Sequence, residues 1–301
     1  MDRFDKDISF LESVDCDPIL KELCRQYSID SFDEKFRVIT FPISDLIKRN
    51  YEAGYFLSNY PYVLSLYGVR DEQMDNLSTE ELPYLATLAC LTWHFRRDYF
   101  CQGTLTCRSI AEGTLLRLFC HLRELYKKNP TVSTLEELHR TKCSSLPCQP
   151  GIYRVLAPEK LPISFIEGSD NLRAKGYPAA ILEQKYGQCT DKTVLYIGKA
   201  NGRGGLRQRV LQYVKYGWGT AVNHKGGRAI WQVKDYPLLL LEYEVCENCE
   251  QREHELLAAY KKENGTYPLA NWRGRRSKGI KNLPCVRGDV RSVGWVDGPL
   301  A

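Results

Sequence analysis

Residues 194–213 read VLYIGKANGRGGLRQRVLQY. The apolar run VLYIG enters a glycine cluster, Gly202, Gly204 and Gly205, and a stretch with Leu206, Val210 and Val214 follows. Apolar residues at i, i+4 and i+8 lie on one face of an α-helix. The segment therefore reads as strand, glycine turn and helix, the outline of a loop that cradles phosphate. Two nucleotide templates test that outline. The dinucleotide pattern G-x-G-x-x-G takes Gly202 and Gly204 and then meets Arg207. The pattern G-x-x-x-x-G-K-[ST], set on Gly198 and Lys199, has Thr193 at its first position and Ala200 at its last. Both fail, and the second half of the chain lacks the repeated βαβ units of a doubly wound sheet.

Outward from this segment the second half alternates. GIYRVL (151–156), TVLYIG (193–198) and YPLLLLEYEV (236–245) read as strands. LRQRVLQYVKYG (206–217) reads as a helix ending at glycine, and GGRAIWQV (226–233) as a short helix or strand. NCEQREHELLAAYKKENG (248–265) reads as a helix with Asn248 as its cap, Gln251 three residues on and Gly265 at its stop. The connection up to about residue 192 holds three prolines and three glycines and reads mostly as loop. The first half is helical. TEELPYLATLACLTWHFRRDYF (79–100) and SIAEGTLLRLFCHLRELYKKN (109–129) carry apolar residues at helical spacing, with QGT (102–104) between them. RTKCSSLPCQPG (140–151) has no periodicity and marks a boundary. The expected fold is α+β: a mainly helical module over 1–145, a small sheet-and-helix domain over 146–275 and a basic tail over 276–301.

Charge divides along the same line. Residues 1–150 carry 18 Lys/Arg against 22 Asp/Glu, and residues 151–301 carry 24 against 15, giving −4 and +9. The positive charge belongs to the second half, which points to a polyanion as its partner. The longest apolar run, PLLLLEYEV (237–245), is interrupted by Glu242 and Glu244, so no segment of membrane-spanning length is present. The acidic start MDRFDKDISFLE lacks the core of a signal peptide. A cytoplasmic protein with no membrane partner is expected. The 12 cysteines are irregularly spaced, and Cys90, Cys101, Cys107 and Cys120 read as reduced, buried thiols. Cys246 and Cys249 have zinc-like spacing, but Cys143 and Cys148, the pair that would complete a set, have four residues between them. Structural zinc is the lesser reading.

GIY (151–153) and YIG (196–198) open two strands of one small domain, and together they resemble the signature of the GIY-YIG endonuclease superfamily. YIGKANGRGGLRQRVLQY is similar to the segment of its excision-repair members in which YIGKA leads to a helix carrying an arginine and, four residues on, a tyrosine or histidine. Those positions are Arg209 and Tyr213. The last helix resembles the family's glutamate helix and puts the metal carboxylate at Glu253; PLAN matches the terminal asparagine at Asn271. The resemblance covers about 151–275 and implies a GIY-YIG-like nuclease domain. Its activity would be metal-dependent cleavage of DNA, duplex or branched, in restriction, phage defence or repair, with one Mg²⁺ or Mn²⁺ per site. One departure is the connection, since Tyr153 and Tyr196 stand 43 residues apart where many members have a short hairpin.

The residues carry part of this chemistry by themselves. Arg209 and Tyr213 are four apart and share one edge of the helix's apolar stripe. A guanidinium there holds a phosphate through two parallel hydrogen bonds, whereas a lone surface arginine covers apolar area. Leu256, Leu257 and Tyr260 lie at +3, +4 and +7 from Glu253, which sets that carboxylate on an apolar face. A buried carboxylate needs a partner, either a divalent cation or an arginine. Glu247 and Glu250 lie at the helix N-terminus, where the helix dipole accounts for them. A single hydrated cation on Glu253 suits the carboxylates this domain places inward; a two-metal clamp does not. By resemblance to restriction members Tyr153 is the first choice of base, and by resemblance to repair members Tyr196 is the alternative. Either tyrosine needs a pKa lowered by a positive neighbour, for which Lys199 is the expected source. His224, Lys225, Arg228, Arg273, Arg275 and Arg276, with Lys278 and Lys281 beyond, are read as contacts to the DNA backbone. Two alternatives stay open: a DNA-binding module with this fold that does not cut, and a first half that binds a protein partner and targets the nuclease. A two-strand cut from one site would call for a homodimer.

Overall fold

The computed structural model describes residues 4–16, 34–97, 104–169, 171, 176–220, 222, 224 and 226–272, with 34–42 and 104 described by backbone alone. Its first part is a set of helices: α1 (Asp5–Ser13), α2 (Glu34–Glu52), α3 (Tyr60–Tyr67), α4 (Tyr84–Arg97), α5 (Thr104–Ala111) and α6 (Thr114–Lys128). Every residue of α4 from Leu85 to Phe95 is buried, as expected of a helix that is apolar all round. The helix expected over 79–100 starts only at Tyr84, where the N–H of Thr87 donates to the carbonyl of Pro83 and the proline sets the first turn. The helix expected over 109–129 is two, because Gly113 adopts a left-handed φ of 71° and separates α5 from α6. The end at Lys127 and Lys128 agrees with the sequence reading.

A four-stranded antiparallel sheet follows, with β1 (Ser133–Thr134), β2 (Gly151–Leu156), β3 (Val194–Ala200) and β4 (Leu240–Val245) in the order β1-β4-β2-β3. The fold is α+β. β1 lies upstream of the boundary read at 140–151, and it pairs Ser133 with Leu241 and Thr134 with Leu240. The Thr134 hydroxyl then caps α7 (Leu135–Arg140), accepting from the N–H of Glu137 at 3.0 Å. Residues of the first-half helices and of the sheet belong to one hydrophobic cluster running from Phe4 to Ala270. Among the described residues no helix is long and apolar enough to cross a membrane.

The connection from β2 to β3, expected mostly as loop, contains α8 (Ala179–Gln188). Its prolines and glycines flank the helix, and Pro178 stands at its entry rather than inside it. After β3 come α9 (Gly205–Gly217), short 3₁₀ turns at Arg228–Gln232 and Tyr236–Leu238, β4, and α10 (Cys249–Asn264). Asn248 caps α10 by accepting from the N–H of Gln251, and Gly265 ends it at φ 72°, as the sequence indicates.

Register assigns the faces. Tyr153 pairs with Gly198 and Val155 with Tyr196, so both tyrosines point to one side of the sheet. α9 packs there through Leu206, Val210, Tyr213 and Val214. Ile152 and Ile197 point to the other side, where they meet Cys249 and Leu257 of α10. Ile152 pairs with Lys199, which places Lys199 on the α10 side as well.

Candidate active site

β3 is an edge strand, so its two faces and its outer side come together in one place. Tyr196 and Arg209 from the α9 side, Lys199 and Glu253 from the α10 side, and Ala270, Asn271 and Trp272 from the chain after α10 line a pocket of about 330 Å³. Tyr177, Gly226 and Gly227 complete its wall. Five of the residues expected at the site thus share one cavity.

The two remaining tyrosines lie beneath it. The rings of Tyr153, Tyr196 and Tyr213 form a triangle with centroids 5.7–5.9 Å apart. Glycine at 198 allows this packing, because a Cβ there would stand 2.6 Å from Cζ of Tyr153 and 2.8 Å from Cε1 of Tyr196. Gly227, at φ 63°, closes the same cluster against Tyr196 and Tyr213. Tyr213 is fully buried and its hydroxyl donates to the carbonyl of Gly227 at 3.1 Å. Burial, with Tyr196 and Tyr153 beside it, holds its pKa well above the usual phenol value. Tyr213 supports the wall and keeps its proton.

Tyr153 is also fully buried, and its hydroxyl has Tyr196 and Arg209 as polar neighbours without a hydrogen bond of normal geometry. Burial raises its pKa well above the usual value, Tyr196 adds to the rise, and Arg209 opposes it. Here the sequence reading needs correction. The positive charge beside Tyr153 is Arg209, while Lys199 faces away on the other side of the sheet. The Lys199 ammonium lies 2.8 Å from Oε1 of Glu250 and 3.3 Å from Oε2 of Glu253, and its pKa is raised, chiefly by the hydrogen bond to Glu250.

Glu253 is only 5 % exposed, in agreement with its place on the apolar face of α10. Lys199 supplies it with a cationic partner, 3.3 Å from Oε2. Among the described residues no group of three or more His, Cys, Asp or Glu is placed to hold a metal. The thiols of Cys246 and Cys249 lie 3.8 Å apart with no such third ligand, so the zinc set is not assembled. What the pocket offers a hard cation is one carboxylate and room for water. That donor set fits a largely hydrated Mg²⁺ or Mn²⁺ and does not fit a cage of protein ligands.

Asn271 does structural work. Its Oδ1 accepts from the N–H of Ile197 at 3.0 Å and its Nδ2 donates to the carbonyl of the same residue at 2.8 Å, so it occupies the outer edge of β3. The N–H of Ala270 donates to the carbonyl of Leu195 at 2.9 Å, on the other side of Tyr196. Of the basic residues, His224 is 3 % exposed and packs on the Tyr213 ring at 4.8 Å. Burial, followed by the charge of Arg209, takes its pKa down to about 3, so it carries no charge for a phosphate and is corrected to a core residue. Arg228 lies with Cζ 5.6 Å over the Tyr177 ring. Lys225, Arg273, Arg275, Arg276, Lys278 and Lys281 lie outside the described residues.

Four amides at the start of α9 are already taken by carbonyls of the chain. The N–H groups of Gly205, Leu206, Arg207 and Gln208 donate to the carbonyls of Gly202, Gln149, Pro147 and Gly204. The first turn of α9 is therefore occupied by the protein itself. Sequence reasoning also missed Tyr177 and Trp272. Trp272 directly follows PLAN, but Tyr177 lies in the connection that read as loop. Compared with protein-family models, with curated proteins and with solved structures, the chain gives no match.

Proposed function

We propose that the chain is a metal-dependent DNA endonuclease with a GIY-YIG-like site. The observation that carries this reading is the convergence of Tyr196, Lys199, Arg209, Glu253 and Asn271 on one pocket at the sheet edge. An aromatic hydroxyl, a guanidinium and an inward carboxylate are the set that the resemblance to GIY-YIG nucleases implies for phosphodiester hydrolysis. Tyr196, on the pocket wall, takes the proton of the attacking water; the hydroxyl of Tyr153 is shut beneath it and its pKa is raised by burial. Arg209 sits against the same wall and stabilises charge building on the scissile phosphate. Glu253 would hold the cation, and a bound Mg²⁺ or Mn²⁺ would supply charge stabilisation at the leaving oxygen. Lys199 balances Glu253 and Glu250, and Asn271 holds β3 so that Tyr196 faces the cavity.

The test is incubation of the purified protein with plasmid, duplex and branched oligonucleotides, with and without Mg²⁺. Cleavage is expected only with the metal, and Glu253→Ala and Arg209→Ala should each slow it by about 10²–10³-fold. Either variant cutting at the wild-type rate would remove that residue from the site. The Lys199–Glu253 ion pair favours a second reading, a DNA-binding module with a self-neutralised pocket that does not cut. Salt-sensitive DNA binding with no products in Mg²⁺ or Mn²⁺ would select it.

A further inference from the structure

The long connection between the two signature strands is built into the pocket. Lys185 of α8 donates to the carbonyls of Pro268 at 3.0 Å, Leu269 at 2.6 Å and Asn271 at 2.7 Å. An ammonium has three N–H groups, and these three acceptors use them all. The same Nζ lies 4.1 Å over the ring of Trp272. Tyr177, also from the connection, stacks on Trp272 with centroids 4.7 Å apart and planes at 22°. Arg228 covers Tyr177 in turn. Two aromatic rings and two cations are thus drawn together at this wall of the pocket. Tyr177 and Trp272 brace each other in that wall.

What Lys185 clamps leads directly to the edge strand. The carbonyls it holds belong to the loop whose Ala270 and Asn271 bond the backbone of Leu195 and Ile197. Tyr196 is the residue between them. We infer that Lys185 is a positioning residue of the site: it fixes the 268–272 loop and, through that loop, the strand segment that aims Tyr196 into the pocket. The catalytic half of this inference rests on the nuclease reading; the anchoring half does not.

Burial takes the Lys185 pKa down to about 8. Around it on the α8 side are Cys189, which opposes that shift, and past it Tyr186, Asp191, Lys192 and Tyr260; the loop 268–272 carries no titratable side chain. Cys189, Tyr186 and Tyr260 are all raised by burial, so Lys185 is the member of the cluster that changes charge first above neutrality. A neutral amine has two N–H groups for three carbonyls. The unfolded lysine titrates near about 10.4, so between about pH 8 and 10 the native state gives up this proton first. Stability therefore rises on its account over that window, and an opening that exposes Lys185 is disfavoured in the same way; what anchors the loop is the set of three carbonyl bonds.

The experiment compares the full-length wild type with Lys185→Met by residue-resolved hydrogen exchange at Ile197 and Ala270, and by cleavage of plasmid in Mg²⁺ from pH 6.5 to 9.5. With far-UV circular dichroism unchanged, Lys185→Met should lose about tenfold or more of the protection at both amides. Its kcat should fall by about 10–100-fold at near-constant KM. Wild-type protection at both amides in Lys185→Met overturns the inference whatever the cleavage data say. Lost protection in the variant together with a wild type that cuts nothing supports the anchoring and removes the nuclease reading. If Lys185→Met does not fold, Lys185→Gln decides: lost protection at Ile197 and Ala270 supports the inference, and wild-type protection at both amides overturns it.

Discussion

The two sides of strand β3 treat charge in opposite ways. On the α9 side three tyrosines and a neutral histidine are packed ring against ring, and Arg209 is the cation beside them. On the α10 side Lys199 is tied to two carboxylates, one of them buried. Each side alone is unremarkable protein interior: an aromatic cluster with one snorkelling arginine, and an ion pair near a helix start. The pocket exists because β3 is the outermost described strand, so a phenol and a guanidinium from one face and a carboxylate from the other open into a single cavity. Substitutions on the two faces should therefore separate proton transfer from charge balance.

The largest effect is expected within the tyrosine face. Tyr196→Phe should lower kcat by about 10³-fold, within the usual range for removal of a positioned acid or base. Tyr153→Phe should cost less than about tenfold, because its buried hydroxyl makes no hydrogen bond of normal geometry and lies beneath the pocket, with Tyr196 and Arg209 as its polar neighbours. Single-turnover cleavage of a labelled duplex measures both. A thousandfold loss in Tyr153→Phe with a mild Tyr196→Phe would reverse the assignment.

On the charged face the expected change is in stability first. Lys199→Met leaves Glu253 buried without its ammonium. Breaking a fully buried pair costs about 3–5 kcal/mol, and the partly exposed Lys199 reduces that to about 1–3 kcal/mol. Urea unfolding without divalent ions should show the loss, and saturating Mg²⁺ should restore most of it, since a cation on Glu253 replaces the missing charge. Equal destabilisation with and without Mg²⁺ would mean that the carboxylate does not take the metal.

How far the sequence showed all this depended on whether the signal was periodic. Glu253 was legible because three apolar residues at helical spacing fixed its face, and it is buried as expected. Arg209 was legible from the stripe of Leu206, Val210 and Val214, all of which are buried. Tyr153 and Tyr196 were legible as residues of one sheet. Their separation into a buried tyrosine and a pocket tyrosine was not, because it depends on antiparallel register: Tyr153 falls opposite Gly198, well inside the strand pair. Lys199 follows YIG directly, yet strand alternation turns it to the opposite face from Tyr196, which is three residues before it. Lys185 carried no periodic signal. Its helix is short and stands among prolines and glycines, and its acceptors are main-chain carbonyls, which any residue type supplies. β1 was missed for a related reason, since a two-residue strand has no alternation to read.

The smallest expected effects fall in the glycine cluster, where its phosphate-loop appearance can be tested. Two of its glycines look alike in the sequence and differ in the structure. Gly205 stands at φ 54°, and a Cβ on it would lie 2.3 Å from the carbonyl oxygens of Cys148 and Gln149, which are backbone atoms that cannot swing aside. Gly205→Ala should therefore destabilise the fold by about 1–3 kcal/mol. Gly202 has no atom within 4 Å of such a Cβ and no left-handed φ, so Gly202→Ala should change stability by less than about 0.5 kcal/mol. It should also leave DNA cleavage within about twofold of wild type. A loop that held the scissile phosphate by close backbone approach would lose that approach in Gly202→Ala, and the loss would appear as a raised KM. An unchanged KM follows from the bonding already present, in which the first amides of α9 donate to carbonyls of the chain, and from the proposal that Arg209 meets the phosphate.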